Sequence, residues 1–153
     1  MSAAGPHTPE SHGRDDADVA ARLRLIVMRF TRRLRQEAGD DLSPSLVSVL
    51  ACLERKGPLT LGELAALERV KPPSVTRMVA TLESSGLVHR EADPTDGRVS
   101  RVSVTAGGSR TLQLSRTRKT AYLAKRLATL SDADAAALTE ALAVLERLLE
   151  GDR

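Results

Sequence analysis

The pattern of apolar and polar positions predicts two amphipathic helices in the first third of the chain. From Asp18 onward, apolar residues recur at the 3.6-residue spacing of a helix, at Val19, Leu23, Ile26, Val27, Phe30 and Leu34. The opposite face of this helix is rich in arginine, and Gly39 ends it. Ser43-Pro44 has the form of an N-cap and first helical residue, and it precedes a second, short helix with the apolar positions Leu46, Val49, Leu50 and Leu53.

Two further short helices are predicted in tandem. The segment Thr60-Leu61-Gly62-Glu63 has the pattern of a capping box, in which the threonine hydroxyl and the glutamate carboxylate each accept a hydrogen bond from a backbone N–H. After a tight connection, Pro72-Pro73 begins a fourth helix that turns one apolar face inward, made of Val75, Val79 and Leu82. Two short helices joined by a few residues form a helix-turn-helix pattern.

A β-hairpin is predicted directly after the helix-turn-helix. Its strands are residues 87–90 and 99–104, and the segment between them contains proline, glycine and aspartate. A hairpin in this position is the wing of a winged helix, whose tip projects from the domain, so Arg98 and Arg101 are expected where DNA would pass. The alternative is an ordinary surface turn, because any hairpin tip favours these residue types.

Two long helices are predicted to complete the chain. Thr105 caps one that runs to Leu130, and Ser131 caps the last, whose apolar stripe is Leu138, Leu142, Leu145 and Leu149. The predicted fold is therefore mainly α with a small β wing. Residues 18–150 form one domain, with the winged helix-turn-helix at 43–105 and flanking helices at 18–38 and 106–150. Residues 1–17, which show no periodicity, are predicted to be a disordered tail.

Composition and charge narrow the class of partner. Residues 55–118 carry eleven Lys or Arg against six acidic residues, whereas residues 131–153 carry two Arg against six acidic residues. A basic middle suits a polyanion, although solvated helix faces produce similar patterns. Aromatic residues make up only 1% of the chain, which argues against a mechanism that stacks single-stranded bases.

Several other classes of function are disfavoured. A single cysteine excludes an intramolecular disulfide, the apolar runs are too short for a membrane span, and no stretch resembles a signal peptide, so a cytoplasmic location is expected. His7, His12 and His89 lack metal-ligand spacing, and no nucleophile motif or glycine-rich phosphate loop is present. Neither a cofactor nor enzymatic catalysis is indicated.

The segment LTLGELAALERVKPPSVTRMVATLESSGLVHREADPTDGRVSRVSVTAGG, residues 59–108, resembles the DNA-binding core of the multiple-antibiotic-resistance regulator (MarR) family. The resemblance rests on the order helix, turn, helix, a D-x-x-D-x-R wing, and a threonine that starts the next helix. It implies a homodimeric transcription regulator in which the first and last two helices intertwine with the partner. Without the resemblance, a monomer that buries these helix faces internally is an equal alternative.

The resemblance also implies roles for individual residues. Positions matching Pro73, Ser74, Thr76 and Arg77 lie in the major groove, where an arginine donates two hydrogen bonds to guanine. The alternatives are an Arg77 ion pair with Glu68 or Glu83, and short hydroxyls that cap the start of the helix. In the wing, Asp96 is expected to orient Arg98 toward the minor groove. The family usually has Asp-Arg-Arg where this chain has Asp96-Gly97-Arg98, so Arg98 on a phosphate is the alternative. Lys71, Arg90 and Arg101 are candidate phosphate contacts.

The family further implies a repressor that releases a pseudo-palindromic operator when a small aromatic or phenolic anion binds beside the dimerisation helices. Candidate crevice residues are Leu25, Arg29, Leu53 and Leu64, which the pattern also allows as core and solvated rim. Cys52 lies midway along the second helix, at the edge of its apolar stripe, and is interpreted as a buried, inert thiol rather than a redox sensor. Two other functions stay open: an effector-independent DNA-binding regulator, and a winged-helix protein-interaction module.

Overall fold

The computed structural model describes residues 12–39 and 41–150. The described chain is mainly helical, with helices α1 (His12–Ala38), α2 (Pro44–Lys56), α3 (Leu61–Glu68), α4 (Pro72–Ser84), α5 (Ala106–Leu127) and α6 (Asp132–Glu150). The strands are β1 (Leu59–Thr60), β2 (Val88–Ala92) and β3 (Ser100–Val104). This order confirms the predicted fold class, a winged helix-turn-helix flanked by long helices.

The first helix begins earlier than predicted. It starts at His12 rather than Asp18, so the prediction of a disordered tail is wrong for residues 12–17, while residues 1–11 lie outside the described part of the chain. Acidic side chains interact favourably with the helix dipole near an N-terminus, and Asp15 lies in the first turn. The apolar periodicity that located this helix begins only at Val19, because the preceding turns carry no apolar stripe.

The wing contains a third strand that the sequence pattern did not reveal. The sheet is antiparallel with the order β1-β3-β2. β1 pairs with β3 at Leu59↔Val102 and Thr60↔Arg101, and β2 pairs with β3 from Val88↔Val104 to Ala92↔Ser100. A two-residue strand is too short to show alternation, so only the capping pattern of α3 was visible there. β1 joins the wing to the start of the helix-turn-helix.

The core lies within the winged helix. Residues from α2, α3, α4 and β3 form a continuous cluster in which eight side chains are completely buried: Val49, Leu50, Leu53, Leu64, Val75, Val79, Leu82 and Val102. The predicted inward face of α4 is therefore confirmed. Burial of an aliphatic side chain contributes roughly 1.5–3 kcal/mol, so this cluster fixes the orientation of α4 relative to α2 and α3.

Local hydrogen bonds fix the ends of these helices. The Thr60 hydroxyl accepts from the Glu63 N–H at 3.2 Å, and the Glu63 carboxylate accepts from the Thr60 N–H at 2.7 Å, which confirms the capping box. The Thr105 hydroxyl accepts from the Gly108 N–H at 3.0 Å and donates to the Gly86 carbonyl at 2.7 Å. Thr105 therefore joins the start of α5 to the end of α4.

The flanking helices leave large apolar surfaces uncovered in a single chain. α1 packs against α5, yet Ala38 is the one buried residue among those of α1 from Asp15 onward. α6 has no buried residue. The exposed apolar side chains of these two helices include Leu25, Ile26, Val27, Met28, Phe30, Leu142, Val144, Leu148 and Leu149. The single chain therefore leaves the apolar faces of α1 and α6 largely exposed.

Within the described residues, none of the helices combines the length and apolar character that crossing a membrane requires.

Candidate nucleic-acid interface

Helix α4 presents a polar face opposite the apolar face that it buries. Pro73, Thr76 and Arg77 are exposed, and Ser74 is half-buried. Lys71 is exposed at the N-cap, and Pro72 lies at the first helical position. The completely buried Val75, Val79 and Leu82 hold the opposite side of the helix against the core. The predicted major-groove residues therefore share the outer side of a helix that is rigidly seated.

Arg77 does not form either of the ion pairs weighed as alternatives to a DNA contact. Its Nε donates to the Pro73 carbonyl at 3.4 Å, along its own helix. Glu68 accepts from the Ser48 hydroxyl at 2.6 Å, and Glu83 accepts from Arg90 at 3.1 Å. Both carboxylates contact other side chains, and Arg77 itself is exposed to solvent.

The threonine hydroxyls of α4 bond to the backbone of the helix. Thr76 donates to the Pro72 carbonyl at 3.1 Å, and Thr81 donates to the Arg77 carbonyl at 3.0 Å. These bonds differ from the capping expected as the alternative, because each hydroxyl donates to a carbonyl one turn earlier and does not accept from an N–H at the helix start. The hydroxyl oxygen of Thr76 keeps its capacity to accept a hydrogen bond, so a contact with a base remains a prediction.

Arg98 lies at the tip of the wing and is held in a defined orientation. Its side chain is 92% exposed. Its Nε and Nη2 donate to the two carboxylate oxygens of Asp96 at 3.1 and 3.2 Å, and its backbone N–H donates to Asp96 Oδ1 at 3.1 Å. These bonds lower the pKa of Asp96. The predicted Asp96–Arg98 interaction is confirmed, and it presents a fixed positive charge to solvent.

The base of the wing is organised by Asp93, a residue that sequence reasoning did not select. Asp93 is 7% exposed and accepts hydrogen bonds from the Thr95 N–H at 2.8 Å, the Thr95 hydroxyl at 2.5 Å and the Asp96 N–H at 3.1 Å. Arg101 Nε also donates to it. Bonds from Thr95 and Arg101 hold the pKa of Asp93 well below its usual range, so the buried carboxylate is ionised. The feature that could have identified Asp93 is the sequence Asp-Pro-Thr-Asp at residues 93–96, which is typical of an Asx turn.

Two of the three candidate phosphate-contacting residues, Arg90 and Arg101, form ion pairs with carboxylates of the same chain. Arg101 contacts Asp93, the Pro58 carbonyl at 3.3 Å and Glu63 at 3.5 Å, so its guanidinium points into the wing base rather than toward the tip. Arg90 on β2 forms its ion pair with Glu83 of α4. Lys71 alone of the three lies beside the polar outer face of α4, at the start of that helix. The geometry does not support a phosphate contact as the principal role of Arg101.

The predicted ligand crevice is wrong in its membership. Leu53 and Leu64 are completely buried core residues, whereas Leu25 and Arg29 are exposed on α1. The structure does not bring these four side chains together, because the apolar periodicity of α2 and α3 marks their core-facing sides. A different concavity, of about 130 Å³, lies where the end of α1, α2 and α5 meet, and it is lined by Gly39, Asp41, Leu42, Val47, Thr111, Leu112, Leu114, Ser115 and Arg118.

Cys52 is buried, as predicted, with 2% of its surface exposed. Burial raises the pKa of its thiol, which lowers the fraction of reactive thiolate. No cluster of three or more His, Cys, Asp and Glu side chains suited to a metal ion occurs in the described part of the chain.

Comparison with known proteins identifies the family. Residues 42–100 match the model of the MarR family. An uncharacterized HTH-type transcriptional regulator of Mycobacterium bovis is 39% identical over 88% of this chain and 95% of its own. The crystal structure of a putative transcriptional regulator of Pseudomonas aeruginosa is similar, with a TM-score of 0.79, 36% identity, and coverage of 88% of this chain and 96% of that one. A MarR family protein of Bacillus stearothermophilus has a TM-score of 0.74 and 25% identity, covering 91% and 98% of the two chains. Together with the winged helix and its exposed basic residues, these matches show that the chain belongs to the MarR family of DNA-binding transcription regulators.

Proposed function

We propose that this protein is a homodimeric repressor that binds a pseudo-palindromic operator near its own gene and releases it when a small aromatic anion binds. The DNA-binding part of this proposal rests on one observation. An exposed Arg77 on the outer face of α4 and a preoriented Arg98 at the wing tip belong to one rigid winged helix. In this arrangement α4 reads base edges in the major groove and Arg98 enters the neighbouring minor groove.

The uncovered faces of α1 and α6 support the homodimer. Both faces carry large apolar side chains that a single chain leaves exposed, among them Ile26, Phe30 and Leu142. Their charges are complementary, because residues 19–37 carry six Arg against one Glu and residues 131–153 carry two Arg against six acidic residues. Packing α1 and α6 of one copy against those of another covers the apolar faces and brings opposite charges together. A dimer also supplies the two recognition helices that a two-fold operator requires.

Arg77→Ala is expected to remove most of the protein's preference for its operator. A bidentate arginine–guanine contact contributes about 1–3 kcal/mol of discrimination against the wrong base, and the dimer loses two of them, so the ratio of operator to scrambled-duplex affinity should fall about 30-fold or more. The measurement is fluorescence anisotropy with both duplexes. Arg55→Ala, at an exposed position near the end of α2 and outside α4, the wing and the proposed dimer helices α1 and α6, is the matched control and should retain the ratio. An equal loss of affinity for both duplexes would instead assign Arg77 to a phosphate.

The concavity between α5 and the winged helix supports release by a small ligand. Its volume of about 130 Å³ is close to that of an engineered cavity of about 150 Å³ that accommodates benzene. Arg118 and Asp41 place opposite charges in the lining, and Arg118 Nη1 donates to the Ala38 carbonyl at 2.9 Å, at the end of α1. A single aromatic ring matches this size, and Arg118 supplies the positive charge with which an anionic group on the ring would pair. Binding there releases DNA if the ligand favours a spacing of the two winged helices that does not fit the operator.

Benzoate is a suitable probe for this site. At millimolar concentration, benzoate is expected to weaken operator binding at least about fivefold, the lower end of typical allosteric coupling, whereas neutral benzyl alcohol should have a smaller effect. Arg118→Gln should reduce the benzoate effect. Operator affinity that stays constant up to the solubility limit of benzoate would favour the effector-independent regulator.

A further inference from the structure

The Arg101 side chain is placed where three segments of the winged helix meet. It belongs to β3, and its guanidinium donates to Asp93 at the base of the wing loop, to the Pro58 carbonyl at 3.3 Å before β1, and to Glu63 at 3.5 Å in the first turn of α3. The same Glu63 carboxylate completes the capping box of α3. One side chain therefore connects the wing loop to the start of the helix-turn-helix.

The connection continues from Arg101 to the wing tip. Asp93 accepts from Arg101 through one carboxylate oxygen, and through the other it accepts from the Asp96 N–H at 3.1 Å. The Asp96 carboxylate then binds Arg98 at 3.1 and 3.2 Å. Every step of this path, Arg101–Asp93–Asp96–Arg98, is a hydrogen bond to an ionised carboxylate, which is the stronger kind of hydrogen bond.

Strand pairing alone does not orient this loop. The ladder between β2 and β3 ends at Ala92↔Ser100, so residues 93–99 lie beyond it. Within the loop, the Asp93 N–H donates to the Val99 carbonyl at 2.8 Å and the Val99 N–H donates to the Asp96 carbonyl at 2.9 Å. These bonds close the loop on itself, whereas the Arg101 contacts tie it to α3.

We infer that Arg101 is a positioning residue for DNA reading: it fixes the wing loop against the start of α3 and thereby sets where Arg98 meets DNA. The inference rests on the proposed DNA binding, and it replaces the phosphate contact expected for Arg101. The role depends on the shape of the guanidinium, because a planar fork reaches three acceptors in different directions whereas an ammonium is a compact charge. Lysine therefore keeps the charge of residue 101 but loses the connection.

The experiment compares Arg101→Lys, Arg98→Ala and the double variant with the wild-type protein in operator binding. If Arg101 acts through Arg98, Arg101→Lys weakens binding roughly tenfold, and the double variant binds within about twofold of Arg98→Ala, because coupled residues are not additive. Arg116→Lys, the same change at a single-acceptor ion pair with Glu54 of α2 at 2.7 Å, lies outside α4 and the wing; it is the matched control and should bind like wild type. Additive losses, or an Arg101→Lys variant that binds like wild type, would overturn the inference.

Amide hydrogen exchange of the free protein gives an independent answer. Arg101→Lys is expected to accelerate exchange at residues 95–99 about tenfold or more while the amides of α4 keep the wild-type rate, since local opening reports local stability. Loop exchange that stays at the wild-type rate would overturn the inference even if DNA binding changes. A wild-type protein that does not prefer its operator would overturn the proposed function instead, and the exchange result would then still decide whether Arg101 orients the wing.

Discussion

Leu142→Glu is expected to convert the proposed dimer into a monomer and to abolish the proposed tight binding to the operator. Leu142 is 50% exposed in the single chain, so the substitution removes little from the fold of one protomer. In the proposed dimer it places an unpaired carboxylate in an apolar interface, which costs about 3–5 kcal/mol and raises the dimer dissociation constant roughly 100-fold or more. Sedimentation velocity over a concentration series measures this change directly.

Leu67→Glu provides the matched control for the dimer. Leu67 on α3 is 48% exposed, and the change introduces the same charge outside the flanking helices. We expect Leu67→Glu to remain dimeric at concentrations where Leu142→Glu is monomeric. If Leu142→Glu has the wild-type sedimentation coefficient at micromolar concentration, α6 does not form the dimer interface.

Gly108→Ala is expected to destabilise the protein by about 2–3 kcal/mol, because overpacking a tight contact forces the backbone to move. A Cβ at position 108 lies 2.2 Å from the Leu87 carbonyl oxygen and 2.8 Å from Val104 Cγ2. Neither neighbour is the end of a flexible side chain, so α5 must shift away from the end of α4. Urea unfolding at one fixed protein concentration measures the free energy of unfolding.

Gly62→Ala separates this steric effect from the general effect of replacing a helical glycine. The nearest atom to a Cβ at position 62 is the Thr60 hydroxyl oxygen at 4.0 Å, so the methyl group fits. Gly62→Ala should therefore stabilise the protein by about 0.5–1 kcal/mol through the smaller conformational entropy of the unfolded chain. A Gly108→Ala variant as stable as wild type would mean that α5 does not start against Leu87 as described.

Local sequence signals predicted helix α4 and the face that it buries well. Proline at the start of α4, the capping box of α3 and the apolar spacing of Val75, Val79 and Leu82 all act within a few residues of one another. The Asp96–Arg98 interaction could be predicted for the same reason, since the two residues are only two positions apart in the sequence. Such features are determined by local geometry, so a single sequence is enough to identify them.

Contacts between distant segments were not predictable in the same way. Arg101 binds Pro58 and Glu63, which are 43 and 38 residues away in sequence, and its position in the hairpin gave no sign of them. The prediction of the crevice residues was wrong for a related reason, because one apolar stripe is compatible with both a core and the wall of a pocket. Only the packing of α2 against α3 and α4 shows that Leu53 and Leu64 belong to the core.

The most direct test of the central claim is the affinity of the wild-type protein for DNA from its own upstream region and for a scrambled duplex of the same composition. Fluorescence anisotropy over a salt series should show a preference of about a thousandfold or more, with two protomers per duplex, because a specific reader combines base contacts with phosphate contacts. Equal, weak and salt-sensitive binding to both duplexes would contradict the account, since it would leave only a basic surface and favour a winged helix that binds proteins.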